Sequence, residues 1–128
     1  MSVTPFVPDL LTERIIGAAI EVHRELGPGL LEAIYEECLC SELRDAAIPV
    51  ARQIMIPVIY KGKRLATSYR ADVIVNDQVI VEIKSNEKLI EVHRAQLLTY
   101  LRVTGLHTGL LVNFNVPVLS KGVKRVSL

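Results

Sequence analysis

Tyr69 to Ser85 reads YRADVIVNDQVIVEIKS, and this stretch decides the fold. Two apolar runs, each containing Val-Ile-Val, flank Asn76-Asp77-Gln78. β-Branched runs around a short polar break form the strands of an antiparallel hairpin. Because the runs are apolar at consecutive positions, both faces of the sheet are expected to be covered. Yet Asp72 opens the first strand, and Glu82 and Lys84 fall two apart on the second. Two carboxylates and an ammonium on a buried sheet are costly unless something compensates them. A divalent cation and a phosphate ester are the usual compensation, which points to metal-assisted phosphodiester chemistry.

The loop decides whether these groups meet. A two-residue turn at Asn76-Asp77 pairs Val75 with Gln78 and sends Asp72 to the face opposite Glu82. A three-residue loop pairs Val75 with Val79, sets Asp72 directly across from Glu82, and leaves both on the face that carries Lys84. The three-residue loop is expected, because only that register assembles a site.

Upstream, Ile54 to Tyr60 is another β-branched run, with Pro57 marking an edge or a bulge. Lys61-Gly62-Lys63 is a turn into Leu65 to Val75, so three strands should form a meander. Downstream, a helix is expected from about Leu89 to Val103, ended by Gly105, and then a buried strand from Gly109 to Asn113. A helix between two strands of one sheet allows a parallel pairing. The basic tail, with Lys121, Lys124 and Arg125, suits a last edge strand. At the other end, residues 1–8 read as an irregular arm containing Pro5 and Pro8. Asp9 is a candidate N-cap for a helix to about Leu26, whose apolar positions Leu11, Ile15, Ala18, Ala19, Val22 and Leu26 recur at helical spacing. Gly27-Pro28-Gly29 separates it from a second helix, Leu30 to about Ala46. No repeat, linker or low-complexity segment interrupts the chain, so a single α/β domain over 1–128 is expected.

Half of the 128 residues are apolar and 23% are charged, which excludes a disordered chain. The formal charge of +1 excludes coating of nucleic acid by bulk electrostatics. It leaves room for a local groove built from Lys61, Lys63, Arg64, Arg70, Lys84 and Arg94. Cys38 and Cys40 diverge on a helix, so no mutual disulfide is expected, and no cysteine or histidine metal cluster exists. A reducing cytoplasm fits this usage. The N-terminus lacks the pattern of a signal peptide, and no apolar run is long enough to span a bilayer.

Asp72 and Glu82 supply hard oxygen ligands suited to Mg2+ or Mn2+, and the carbonyl of Ile83 is a candidate to complete the coordination. The Lys84 ammonium is placed to position water or stabilise transition-state charge. The competing reading is a polar strand face with an ordinary Glu–Lys pair. Glu32 is either a first-turn acid favoured by the helix dipole or a third carboxylate facing the metal; Tyr35 and Glu36 share its face by helical spacing. His93, Gln96 and Tyr100 flank the core stripe Ile90, Leu97, Leu98 and Leu101, as either a boundary face or part of the site. Arg94 either reaches a phosphate or snorkels to solvent. His23 and His107 read as structural, and no G-x-S-x-G, Walker or Rossmann motif is present.

Taken in order, helix Glu32, Asp72, Glu82-Ile83-Lys84 and Gln96-Leu97-Leu98-Thr99-Tyr100 resemble the PD-(D/E)XK nuclease superfamily. The trailing Q-x-x-x-Y is similar to its RecB-like branch. Gly29, Glu32 and Tyr35 match the GxxExxY family, a small, mainly prokaryotic group within that superfamily. The resemblance covers residues 10–115 and implies a restriction-endonuclease-like αβββαβ core with a mixed central sheet flanked by helices. It also implies a nuclease that hydrolyses phosphodiester bonds with Mg2+ or Mn2+. Carried over, Asp72 and Glu82 bind metal with Ile83 and the accessory acid Glu32, and Lys84 is the catalytic lysine. Tyr35, Gln96, Tyr100, Arg94, His93 and Arg70 support the site or touch the substrate. Ala71 stands where the superfamily's name-giving proline would be. The expected substrate is DNA, in repair, recombination or defence, and a homodimer is among the assemblies this size allows. The alternatives are a catalytically silent nucleic-acid-binding or complex-forming module on the same fold, and a scaffold whose carboxylates pair with Lys84 and Arg70.

Overall fold

The computed structural model describes residues 8–128. Helices α1 (Pro8–Leu26) and α2 (Glu32–Asp45) precede strands β1 (Val50–Tyr60), β2 (Lys63–Val75) and β3 (Val79–Lys84). Helix α3 (Glu91–Thr104) leads to β4 (Thr108–Asn113), and a short 3-10 turn, Leu119–Gly122, leads to β5 (Val123–Ser127). The strands form one sheet in the order β1-β2-β3-β4-β5. β1, β2 and β3 are an antiparallel meander, β3 and β4 pair parallel across α3, and β5 is an antiparallel edge.

β3 sits in the middle of the sheet and is buried nearly throughout, which is why its sequence is apolar on both faces. Val79, Val81 and Ile83 pack into the layer formed with Leu11, Ile15, Leu39 and Leu43 of α1 and α2. Ile80 packs on the other face, with Leu97, Tyr100 and Leu101 of α3. Each such side chain contributes roughly 1.5–3 kcal/mol of burial. The strand is therefore anchored independently of the charged residues at its end.

The β2–β3 loop has three residues, and Val75 pairs with Val79 as expected. Asn76 and Asp77 hold it with φ of 51° and 54°, a left-handed conformation that Asn and Asp tolerate better than most residues. Pro57 lies on the edge strand β1, next to a register shift between Pro57 and Ile59.

Several boundaries differ from expectation. Pro8 is already helical, where its fixed φ suits a helix start; the rest of the arm and the side chain of Asp9 lie outside the described residues. α2 begins at Glu32, not Leu30, because Leu31 is extended at ψ 144° and follows two glycines at φ 72° and 92°. α3 begins at Glu91, not Leu89. Ile90 is extended and 50% exposed, so it leaves the core stripe to Leu97, Leu98 and Leu101. β1 starts at Val50, where it pairs with Val75, and β2 starts at Lys63, where it pairs with Tyr60. Cys38 and Cys40 are free thiols. No helix among the described residues is long and apolar enough to cross a membrane. Elements α2-β1-β2-β3-α3-β4 make the αβββαβ core, a restriction-endonuclease-like mixed α/β arrangement.

Candidate active site

The β2–β3 ladder pairs Val75 with Val79, Ile74 with Ile80 and Val73 with Val81, and stops there. At the next step, side chains replace backbone acceptors. The Asp72 N–H donates to Glu82 Oε1 at 3.0 Å, and the Ile83 N–H donates to Asp72 Oδ2 at 2.8 Å. The two carboxyl groups also lie within hydrogen-bonding reach of each other. Asp72 therefore stands across from Glu82, as the three-residue loop requires.

The local backbone is not a plain strand. Ala71 and Ile74 both face the α3 layer although they are three apart, so side-chain alternation breaks between them. Opposite the break, Gln53 of β1 has φ 53° and drops out of the β1–β2 ladder. Irregular strand backbone of this kind is a common way to re-aim a functional side chain.

The electrostatics of the pair are those of an anion site short of positive charge. Burial, then the neighbouring Asp72 carboxylate, pushes Glu82 up to about 8, against the pull of the Asp72 N–H and Lys84. Burial also raises Asp72; the Ile83 N–H and Lys84 oppose this, while Glu36 and Glu32 add to it. Lys84 follows Glu82 by two on the same strand and is half-buried. Among the described residues no ion pair joins it to either carboxylate. Arg70 is exposed and pairs across the strands with exposed Met55. The scaffold reading, in which Lys84 and Arg70 neutralise the two acids by direct pairing, is thus not what the chain builds.

α2 delivers Glu32 to the end of β3. Glu32 Oε2 accepts the Ser85 N–H at 3.0 Å, and the Ser85 hydroxyl donates to the Leu30 carbonyl at 2.7 Å. The loop that makes this possible is pinned by Tyr35. Its hydroxyl donates to the Gly27 carbonyl at 2.6 Å and accepts the Leu30 N–H at 3.1 Å, while its ring stacks on Phe114 at 4.3 Å. Tyr35 is fully buried and fixes the loop from the core side.

α3 contributes from the opposite layer. Tyr100, 3% exposed, is pushed up to about 12 by burial and then by Glu82 and Asp72, and its hydroxyl hydrogen-bonds Gln96. Tyr69 of β2 tilts against it at 5.4 Å between ring centres. Tyr100 therefore borders the carboxylates, with Gln96 beside its hydroxyl. His93 does not join them. Its Nδ1 accepts the Ile90 N–H at 3.1 Å, capping α3, and its Nε2 lies 3.5 Å from Asn86 Nδ2. Arg94 pairs with Glu91 at 3.6 Å and lines a cavity of about 380 Å3 with Lys124, Arg125 and Val126 of β5. That lining includes neither carboxylate.

Two further residues support the site, Glu36, which helical spacing places on the Glu32 face, and Asn113, which the sequence did not single out. Glu36 is 5% exposed and accepts Arg52 Nε at 2.9 Å and Gln53 Nε2 at 2.6 Å, bracing the strand break opposite Asp72. Its helical spacing from Glu32 was visible, but its two partners lie 16 and 17 residues further on. Asn113 clasps the segment after Lys84, accepting the Asn86 N–H at 3.1 Å and donating to the Asn86 carbonyl at 2.9 Å.

Among the described residues no three His, Cys, Asp or Glu side chains gather as a metal-ligating cluster. The donor set is the adjacent carboxyl pair of Asp72 and Glu82. Hard oxygens, buried together, both raised and in no ion pair among the described residues, fit a divalent ion of the magnesium or manganese type. The model of the PD-(D/E)XK nuclease superfamily matches residues 9–126. No curated protein and no solved structure matches the chain.

Proposed function

The chain belongs to the PD-(D/E)XK nuclease superfamily, and on that premise we propose that it is a divalent-metal-dependent nuclease acting on DNA. The observation that carries this reading is the buried carboxyl pair at the end of the β2–β3 ladder, held by two backbone N–H groups and, among the described residues, in no ion pair. Such a pair contributes little to stability, since apolar residues in its place are often neutral or stabilising, so its charges suit a ligand better than a structural role. Within the superfamily, Gly29, Glu32 and Tyr35 support membership of the GxxExxY group. Left-handed Gly29 permits the turn, Glu32 reaches β3, and Tyr35 holds the loop between.

Asp72 and Glu82 would hold the ion, with the Ile83 carbonyl and Glu32 as further oxygen donors. When bound, the ion supplies Lewis-acid polarisation of the phosphate and a water of lowered pKa. The Asp72 and Ile83 N–H groups fix the carboxylates in place, so little reorganisation is needed on loading. Lys84 brings the positive charge nearest the pair on β3 and is positioned to balance the negative charge that develops on the phosphate. The Tyr100 phenol remains protonated at any working pH and offers a donor, aligned by Gln96. Glu32 holds the Ser85 N–H and thereby the strand end that carries Lys84.

The test is hydrolysis of plasmid, linear duplex, single-stranded DNA and RNA with Mg2+ or Mn2+. Cleavage by the wild type and its loss in Asp72→Asn, with the fold intact by circular dichroism, supports the proposal. Absence of cleavage on every substrate, or an Asp72→Asn protein as active as wild type, refutes it.

A further inference from the structure

From Ala46 to Ala71 the chain contains no Asp or Glu, yet it carries Arg52, Lys61, Lys63, Arg64 and Arg70. Arg52 is committed to Glu36. The other four are exposed and lie on the β1–β2 hairpin, in a chain whose whole formal charge is only +1. β2 leaves β3 after Val73, so residues from Lys63 to Ala71 pair only with β1. The base of this two-stranded ribbon is tied to α3 by Ile54, Ile56 and Tyr69. Beyond that base the tip carries exposed Ile59, Tyr60 and Leu65, and the Lys61 ammonium stands 5.5 Å from the centre of the Tyr60 ring.

We infer that the β1–β2 ribbon is an arm that grips a nucleic-acid duplex by its groove and presents it to Asp72, which stands at the ribbon's root. This deepens the nuclease reading and rests on it for the class of substrate. Charge selects the occupant. An acid-free, cationic arm is complementary to phosphates, whereas a second copy laid ribbon to ribbon would set the same cations against one another. Size agrees. About six residues separate the Met55–Arg70 pair from the turn, a reach of roughly 20 Å at ~3.3 Å per residue. Strands ~4.8 Å apart enter a major groove ~12 Å wide. The mixed tip also agrees, because apolar side chains flanked by cations contact base edges and sugars while the cations take phosphates. A flexible single strand offers no groove for a rigid ribbon and, among the tip residues, only Tyr60 to stack on.

The experiment measures binding apart from cleavage. With metal withheld by EDTA, fluorescence anisotropy follows a labelled duplex and one of its strands over a salt series. The wild type is expected to bind the duplex at least about tenfold more tightly than the strand, with affinity falling steeply with salt. Lys61→Gln/Lys63→Gln/Arg64→Gln should lose at least about tenfold in duplex affinity and up to about 2.7 of the log–log salt slope, near 0.9 per phosphate contact released. Tyr60→Ala should weaken duplex binding with the slope unchanged. All four side chains are exposed, so melting temperatures should not move. A wild type that ignores duplex, a triple variant that binds like wild type, or a wild-type dimer that Tyr60→Ala dissociates while duplex affinity is unchanged would each overturn the inference. Ribbon-dependent binding without cleavage in Mn2+ would refute the nuclease reading alone. Cleavage with ribbon-independent binding would refute the ribbon alone.

Discussion

Glu82→Gln should make the metal-free protein more stable at alkaline pH while destroying its response to metal. The Glu82 carboxyl stands at about 8 in the folded chain against an ordinary 4.5. Between these values the native state holds a proton that the unfolded state has released, so stability falls as pH rises. One such proton is worth about 1.4 kcal/mol per pH unit. From about pH 5 to about pH 8 the wild type in EDTA should lose on the order of 4 kcal/mol, roughly 12–20 °C in melting temperature for a chain of this size. Burial also raises Asp72, so its contribution to the pH dependence has the same sign. Glutamine does not titrate, its amide oxygen can still accept the Asp72 N–H, and its amide nitrogen can donate to Asp72. The melting temperature of the variant should therefore stay nearly level over this range and exceed that of the wild type at its upper end. Mg2+ at a hundred times its dissociation constant should return about 3 kcal/mol to the wild type and little to the variant. Thermal unfolding by circular dichroism, in buffers from acid to alkaline with EDTA or Mg2+, reads both effects. A wild type whose stability is flat or rises across the window, or a variant that keeps the wild-type slope, would refute the picture of two acids sharing one uncompensated pocket.

Lys84→Ala should reduce cleavage at least about 10²-fold with little change in melting temperature, since its ammonium is in no ion pair among the described residues; single-turnover kinetics beside a melt checks this. Arg52→Ala leaves the Glu36 carboxylate buried with Gln53 as its remaining neutral partner and should cost about 2–4 kcal/mol in urea unfolding. Tyr35→Phe removes the hydroxyl that bridges the Gly27 carbonyl and the Leu30 N–H, for about 1–2 kcal/mol. Hydrogen exchange should then quicken at Ser85, which docks on the loop. Gly122→Ala places a methyl group against the Asn113 carbonyl and should destabilise by about 1–3 kcal/mol in the same urea assay.

The parts of the fold governed by short-range rules were legible in the residues. The β2–β3 hairpin followed from two Val-Ile-Val runs around three polar residues, and its register from the two-residue period of a strand. The parallel β3–β4 pair followed from a helix lying between two buried runs. Helix starts were misread where apolar residues continue the helical pattern outside the helix, as Leu30, Leu31 and Ile90 do; backbone angles, not hydropathy, end the helix there. The meeting of Asp72 with Glu82 was legible, but not its means, because the broken alternation depends on Gln53 across the sheet. Tyr35 and Glu36 depend on partners far along the chain, Phe114 for one and Arg52 with Gln53 for the other. Helical spacing assigns a face, but it does not tell which layer of the fold that face meets. Spacing leaves His93 open between a boundary face and the site, and its bond to the Ile90 N–H, which caps α3, depends on how the chain enters the helix.

The proposed chemistry requires Asp72 and Glu82 to bind one divalent cation together. Anomalous diffraction from a crystal soaked in Mn2+ at alkaline pH tests it directly. A manganese peak is expected within coordination distance of both carboxyl groups, absent from crystals of Glu82→Gln. A fully soaked crystal with no peak there, and with the two carboxyls still hydrogen-bonded to each other, would contradict it.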